Sequence, residues 1–133
     1  MESLNRYKKF VENKMSPTSF FHDNYIARLN ELSEQGCYIS MLDTAAQGLS
    51  AEAGEFEEIV KKIKYQGKPW NDDNIFHLKR ELGDACFYLM VGCIALGVSM
   101  EEIIEMNVEK LDARFSGGIF EVSKSETRKD GDV

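Results

Sequence analysis

The sequence predicts an all-α protein with a four-helix-bundle-like architecture, and three observations carry that prediction. Apolar residues recur at spacings of three and four along most of the 133 residues. Strand formers are sparse, with three Thr and seven Val, and no segment alternates apolar with polar side chains for long. Gly, Pro and capping residues fall where the periodic stretches end.

A first helix is expected from about Ser19, after Pro17, with Phe21, Tyr25, Leu29 and Leu32 leading to Gly36. The second is long, from about Tyr38 to Tyr65, and aligns Leu42, Ala45, Leu49, Phe56, Ile59 and Ile63 in one stripe. It stops at Gln66-Gly67-Lys68-Pro69. The third follows the cluster Asn71-Asp72-Asp73-Asn74, whose side chains are good N-caps, and continues to Gly97. Its segment Ala85 to Val98 is nearly uncharged, too short to span a bilayer and suited to a helix covered on most sides. Ser99 and Glu102 form a capping box for the fourth, whose apolar face is Ile104, Val108, Leu111 and Phe115 and which Gly117-Gly118 ends. These helices make a single domain over residues 1–118, with a core at about 42–118. The tail 119–133 is polar, without periodicity, and is expected to be mobile unless a ligand or neighbouring subunit orders it.

Composition narrows the function. A net charge of −7 and a pI near 4.9 exclude a sequence-independent grip on a nucleic acid polymer, so an anionic ligand needs local basic groups or a metal. Three cysteines, Cys37, Cys86 and Cys93, without a CxxC pair, exclude a disulfide framework or zinc knuckle and fit a reducing cytoplasm. The first residues contain no apolar core of a signal peptide, and no membrane association is expected.

The chemistry lies in four carboxylates. At roughly 100° per residue, Glu52 falls inside the apolar stripe of the second helix, with Glu55 to its side. Glu81 and Asp84 point the same way as Leu78, Ala85 and Tyr88 on the third. Two acidic i, i+3 pairs thus occupy faces that should be dry, where ionised carboxylates need protons, matching cations or a metal. Lys61, Lys62 and Lys64 point away from the Glu52 stripe, which leaves a divalent ion as the economical solution. All-oxygen ligands select Mg²⁺, with Mn²⁺ second. A carboxylate-bridged di-iron bundle would require Glu-x-x-His on two helices, and neither pair is followed by His. Gly54 and Gly83, each just before the second acid of its pair, imply the close approach of another backbone.

The stretch GLSAEAGEFEEIVKKI, followed by LKRELGDACFYLMVGCIALGVSMEEIIEMNVEKLDARF, resembles the all-α nucleoside triphosphate pyrophosphohydrolases of the MazG-like superfamily, whose pattern is ExxE on one helix and ExxD on the next. The resemblance covers about Leu42 to Gly118. It implies that Glu52, Glu55, Glu81 and Asp84 bind Mg²⁺, that an NTP or dNTP is cleaved to monophosphate and pyrophosphate, and that the chain assembles as a homodimer or homotetramer with sites completed between subunits.

The fourth helix agrees from the residues upward. Asn107, Lys110 and Arg114 form a row at i, i+3 and i+7, an amide, an ammonium and a guanidinium suited to phosphate. The attacking water would be one bound to the metal or one held by Glu52 or Glu55. Trp70 and Tyr88 are candidate base-stacking groups, and Trp70 is the basis for a purine dNTP such as dGTP as substrate. Two other classes fit the carboxylates without the row: a non-catalytic acidic helical binding or assembly module, and a carboxylate-bridged metal-binding bundle.

Overall fold

The computed structural model describes residues 2–115, 118 and 120–123. Among them, all regular structure is helical: α1 (Glu2–Lys14), α2 (Pro17–Phe20), α3 (His22–Glu34), α4 (Ile39–Tyr65), α5 (Asp72–Leu96) and α6 (Met100–Arg114). The tail from residue 124 and Gly117 lie outside the described residues, so the expectations placed on them are not addressed.

Helix α5 begins and ends, and α6 begins, where capping chemistry places them, whereas α4 opens at Tyr38 without a side-chain cap. The Asn71 side chain accepts a hydrogen bond from the Asn74 backbone N–H and opens α5, and left-handed Gly97, at φ 69°, closes it. The Ser99 hydroxyl accepts from the Glu102 N–H and opens α6. Helix α6 ends at Arg114, before the glycine pair expected to stop it.

The N-terminal part departs from expectation twice. No helix is expected before Pro17, yet residues 2–14 form α1. The helix expected from Ser19 is broken at Phe21, whose backbone is extended (φ −113°, ψ 124°) between α2 and α3. Ser16 caps α2 by accepting from the Ser19 N–H, with Pro17 in the first turn, so a separate short helix starts ahead of α3.

Among the described residues, helices α4 and α5 form the most extensive helix pair, joined by the turn at 66–71 and running antiparallel. Inside the turn, the buried Asn74 amide donates to the Pro69 carbonyl at 2.6 Å, tying the loop to the first turn of α5. Further along, a Cβ on Gly92 would lie 3.7 Å from the Ala45 Cβ. The Tyr88 ring lies over Gly48 so closely that a Cβ there would come within 2.1 Å of Tyr88 Cδ1. Glycine at 48 is therefore what lets the two helices approach with an aromatic ring between them.

The α3 end is looser. Tyr25, Leu29 and Leu32 of α3 face Ile39, Leu42 and Ala46 of α4 across a groove of about 600 Å³. Its charged neighbours are engaged within their own helices, Arg28 with Glu31 at 2.6 Å and Asp43 with Gln47 at 2.8 Å.

Buried apolar residues are few and small: Ala45, Cys93 and Ala95. The expected stripe of α4 does turn inward, but α5 is not covered on most sides. Phe87, Met90 and Ile94 are 63, 45 and 60% exposed. One helical hairpin cannot cover both faces of a helix this apolar. No single helix among the described residues is long and apolar enough to cross a membrane, and α5 and α6, which pass only as a pair, meet at 98°.

Candidate metal centre

The α4–α5 crossing decides which carboxylates meet. One turn beyond Gly48 on α4 stands Glu52, and two turns before Tyr88 on α5 stands Glu81. With the Tyr88 ring fixed over Gly48, antiparallel packing brings these side chains face to face. Oxygen atoms of Glu52, Glu55 and Glu81 all lie within 4.8 Å of one another. Asp84, one turn along from Glu81, stands outside this closest group but near enough for its charge to act on Glu52. All four sequence-derived acids thus belong to one electrostatic neighbourhood.

Their burial is uneven, and here the expectation of a dry face needs correction. Glu52 and Glu81 are half-buried between the helices, whereas Glu55 and Asp84 are exposed. The second member of each pair lies about 60° around the helix from the first, and here it falls on the solvent side of the contact. The inference from Gly54 and Gly83 also fails within the chain. A Cβ at either position would meet nothing within 4 Å, because both lie on the outer sides of their helices.

The electrostatics follow from this geometry. Partial burial raises the Glu52 pKa above its ordinary value, and the charges of Glu55, Asp84 and Glu81 push it further in the same direction. A side-chain hydrogen bond with Glu81 favours the same protonated form. Among the described residues none of the four acids pairs with Lys or Arg. The nearby lysines are used elsewhere: Lys61 and Lys62 both bind Glu58, the latter at 3.1 Å, and Lys64 lies over the Tyr65 ring at 4.9 Å. Glu58 accordingly has its pKa lowered by those hydrogen bonds. The contrast within α4 is direct, since Glu58 is compensated by protein cations and Glu52 is crowded by anions.

This donor set suits a hard divalent ion. It offers carboxylate oxygens only, converging from two helices, with no thiolate and no histidine in the group. His77 is exposed and outside it.

The remaining sequence-derived residues are placed less decisively. Asn107, Lys110 and Arg114 do share one side of α6, but α6 leaves α5 at 98° and packs extensively on neither α4 nor α5. Within one chain the row is therefore not gathered against the acids. Trp70 is 69% exposed in the α4–α5 turn, and Tyr88 is half-buried against Gly48 with its ring edge-on to Phe87 at 5.2 Å. Gly48 itself was not singled out from sequence. Its signal was a small residue in the apolar stripe one turn before an acid.

A carboxylate cluster held across an antiparallel helix pair defines the chain as an all-α protein with a candidate hard-metal centre. Residues 41–116 match the MazG nucleotide pyrophosphohydrolase domain, more than half of the chain, and the protein belongs to that family. No curated protein and no solved structure was found to match it.

Proposed function

We propose that the protein is a Mg²⁺-dependent nucleotide pyrophosphohydrolase that cleaves an NTP or dNTP between the α- and β-phosphates, releasing the monophosphate and pyrophosphate. Membership of the MazG family points to nucleotide pyrophosphohydrolysis in general. The observation that carries the specific reading is the convergence of Glu52, Glu55 and Glu81 within 4.8 Å, with no ion pair to Lys or Arg among the described residues.

In this reading Glu52, Glu55 and Glu81 hold Mg²⁺, or Mn²⁺ in its place, and Asp84 completes the set. When bound, the ion neutralises the negative charge that grows on the phosphate oxygens during cleavage. Glu52 and Glu55 share α4, so one carboxylate can stay on the ion while the other holds water and takes its proton.

Asn107, Lys110 and Arg114 bind the triphosphate. Because α6 turns away from its own hairpin, the row reaches the acids of a second copy, and the exposed Phe87, Met90 and Ile94 of α5 form part of the surface that copies bury in a homodimer or homotetramer. Exposed Trp70 is available to stack on a base, which favours a wide purine such as that of dGTP.

The test is incubation with each common ribo- and deoxyribonucleoside triphosphate plus Mg²⁺, with separate detection of monophosphate, pyrophosphate and orthophosphate. Monophosphate and pyrophosphate in equal amounts are expected, fastest with a purine dNTP. Orthophosphate with diphosphate would overturn the cleavage position, and no turnover on any of them would leave a non-catalytic acidic module.

A further inference from the structure

The α4–α5 hairpin carries cations of its own, and they stand in different relations to the acids. In an antiparallel helix pair, residues at equal angular offsets from the contact line fall on the same side of the pair. Glu55 and Asp84, each three residues past an acid of the contact line, therefore share one side of the hairpin, and both act on Glu52 from there. At roughly 100° per residue, Arg80 lies about 40° beyond Asp84 on that same side of α5, one turn before it. Lys79 lies about 160° around the helix from Glu81 and points away from α4.

The other cations of the hairpin are engaged or distant. Lys62 shares the side of Glu55 but, like Lys61, binds Glu58, and Lys64 lies over the Tyr65 ring. Lys68 stands in the turn before Asp72, and Asp72 is itself nine residues before Glu81 (81 − 72), about 14 Å at roughly 1.5 Å per residue. The exposed Arg80 side chain makes no ion pair, hydrogen bond or ring contact among the described residues.

An i, i+4 pair of opposite charges is an ordinary device on an exposed helix face, yet Arg80 and Asp84 do not form one. Asp84 is thereby left open to a metal, and the guanidinium, with its planar fork of N–H donors, is left open to an anion. Four neighbouring carboxylates repel any anion that arrives without its own cation. A triphosphate carrying Mg²⁺ meets that condition, since the ion joins it to the acids while Arg80 takes its oxygens.

We propose that Arg80 binds the phosphate chain of the metal-bound nucleotide, donating N–H groups to nonbridging oxygens from the same chain that supplies the carboxylates. The proposal rests on the reading of Glu52, Glu55, Glu81 and Asp84 as a Mg²⁺ site for nucleotide hydrolysis. It divides the substrate contacts by subunit: the acids and Arg80 come from one hairpin, and the α6 row comes from a second copy.

Three measurements on the full chain test it: titration with a nonhydrolysable nucleoside triphosphate at saturating Mg²⁺, titration with Mg²⁺ alone, and steady-state kinetics. Arg80→Ala is expected to weaken analogue binding and raise KM by about tenfold or more. Mg²⁺ affinity should not fall, because removing a cation cannot weaken a carboxylate site for another cation. Arg80→Lys keeps the charge without the fork and should recover part of the loss. Lys79→Ala, on the far side of the helix, should match the wild type and so separates a contact from a change in overall charge. Mixed with Glu81→Gln subunits, Arg80→Ala should regain no activity, because both residues serve one site. Wild-type analogue binding in Arg80→Ala, or an equal loss in Lys79→Ala, would overturn the contact and leave the metal-centre reading standing. Recovery in the mixture would overturn its assignment to the same chain. A wild type with neither turnover nor Mg²⁺-dependent analogue binding would overturn that reading and the proposal with it.

Discussion

The α4–α5 hairpin and the helices at either end of the chain, α1 and α6, differ in what closes them. In the hairpin, Gly48 admits the Tyr88 ring, Ala45 meets Gly92, and Asn74 ties the loop, so two faces cover each other and fix the acids between them. Helices α1 and α6 also carry apolar stripes, yet those side chains lie in the open. Caps and periodicity make a helix, whereas complementary partners decide whether its face becomes core, and of these four helices the α4–α5 pair is the one that finds extensive cover among the described residues.

The largest break in that comparison should come from the carboxylates. Glu52→Gln and Glu81→Gln are expected to lower pyrophosphohydrolysis at least about 100-fold, since even groups that only support a metal ligand are worth 10–100-fold. Far-UV circular dichroism should be unchanged, and the metal-free variants should melt at higher temperature because fewer anions repel one another. Parental turnover in both would move the site elsewhere.

Next in size are changes to the row on α6. Arg114→Ala should cost on the order of 2 kcal/mol of transition-state stabilisation, typical of a charge-assisted contact, and leave Mg²⁺ affinity intact in a direct titration. Mixed with Glu81→Gln subunits it should regain activity, because hybrids hold one intact acid set and one intact row. Absence of recovery after verified subunit exchange would confine the row to its own chain or to solvent.

Packing of the hairpin is tested by Gly48→Ala, which should destabilise by about 1–3 kcal/mol in urea unfolding through overpacking against Tyr88. Gly54→Ala and Gly83→Ala reverse the expectation. Both meet open space within the chain, so each should gain up to about 1 kcal/mol from helix propensity. Loss of stability at either position, with a drop in oligomer mass, would reveal another copy seated there.

The smallest effect is in pH. The folded state raises the Glu52 pKa above its ordinary 4.5, so between these values it binds more protons than the unfolded chain, and metal-free stability should fall as pH rises through that window. Glu58 acts oppositely: its lowered pKa gives a contribution present above 4.5 and lost as pH falls below it. Thermal melts of Glu52→Gln and Glu58→Gln across pH 4–7, about the range in which carboxylates titrate, should each lose one of these slopes.

Much of the hairpin was legible in sequence. The stripe Leu42 to Ile63, the Asn71 cap and the Ser99 capping box are local features, and they set α4, α5 and the start of α6 within a residue or two. The pairing of Glu52 with Glu81 was legible as well, because an acid inside an apolar stripe stands out against its neighbours. Exposure of Glu55, Asp84 and the outer face of α5 was not, since helical phase gives the side on which a residue lies but not how many helices arrive to cover it. Helix α1 was missed because its closely spaced charges, Arg6, Lys8, Lys9 and Glu12, obscure the Leu4, Tyr7, Val11 stripe. The extended backbone at Phe21 has no turn or breaker residue of its own to mark it.

The ring of Tyr88 over Gly48 also bears on which length changes the chain can tolerate. Glu52 lies four residues after that contact on α4, and Glu81 lies seven before it on α5. One residue inserted in either interval would swing its acid by roughly 100° around the helix and separate the carboxylates. Residues added between Gly67 and Trp70 would alter neither interval. Among descendants of this sequence, insertions and deletions should therefore accumulate at the tip of the hairpin and be purged from 48–55 and 81–88, even where individual side chains there are free to vary.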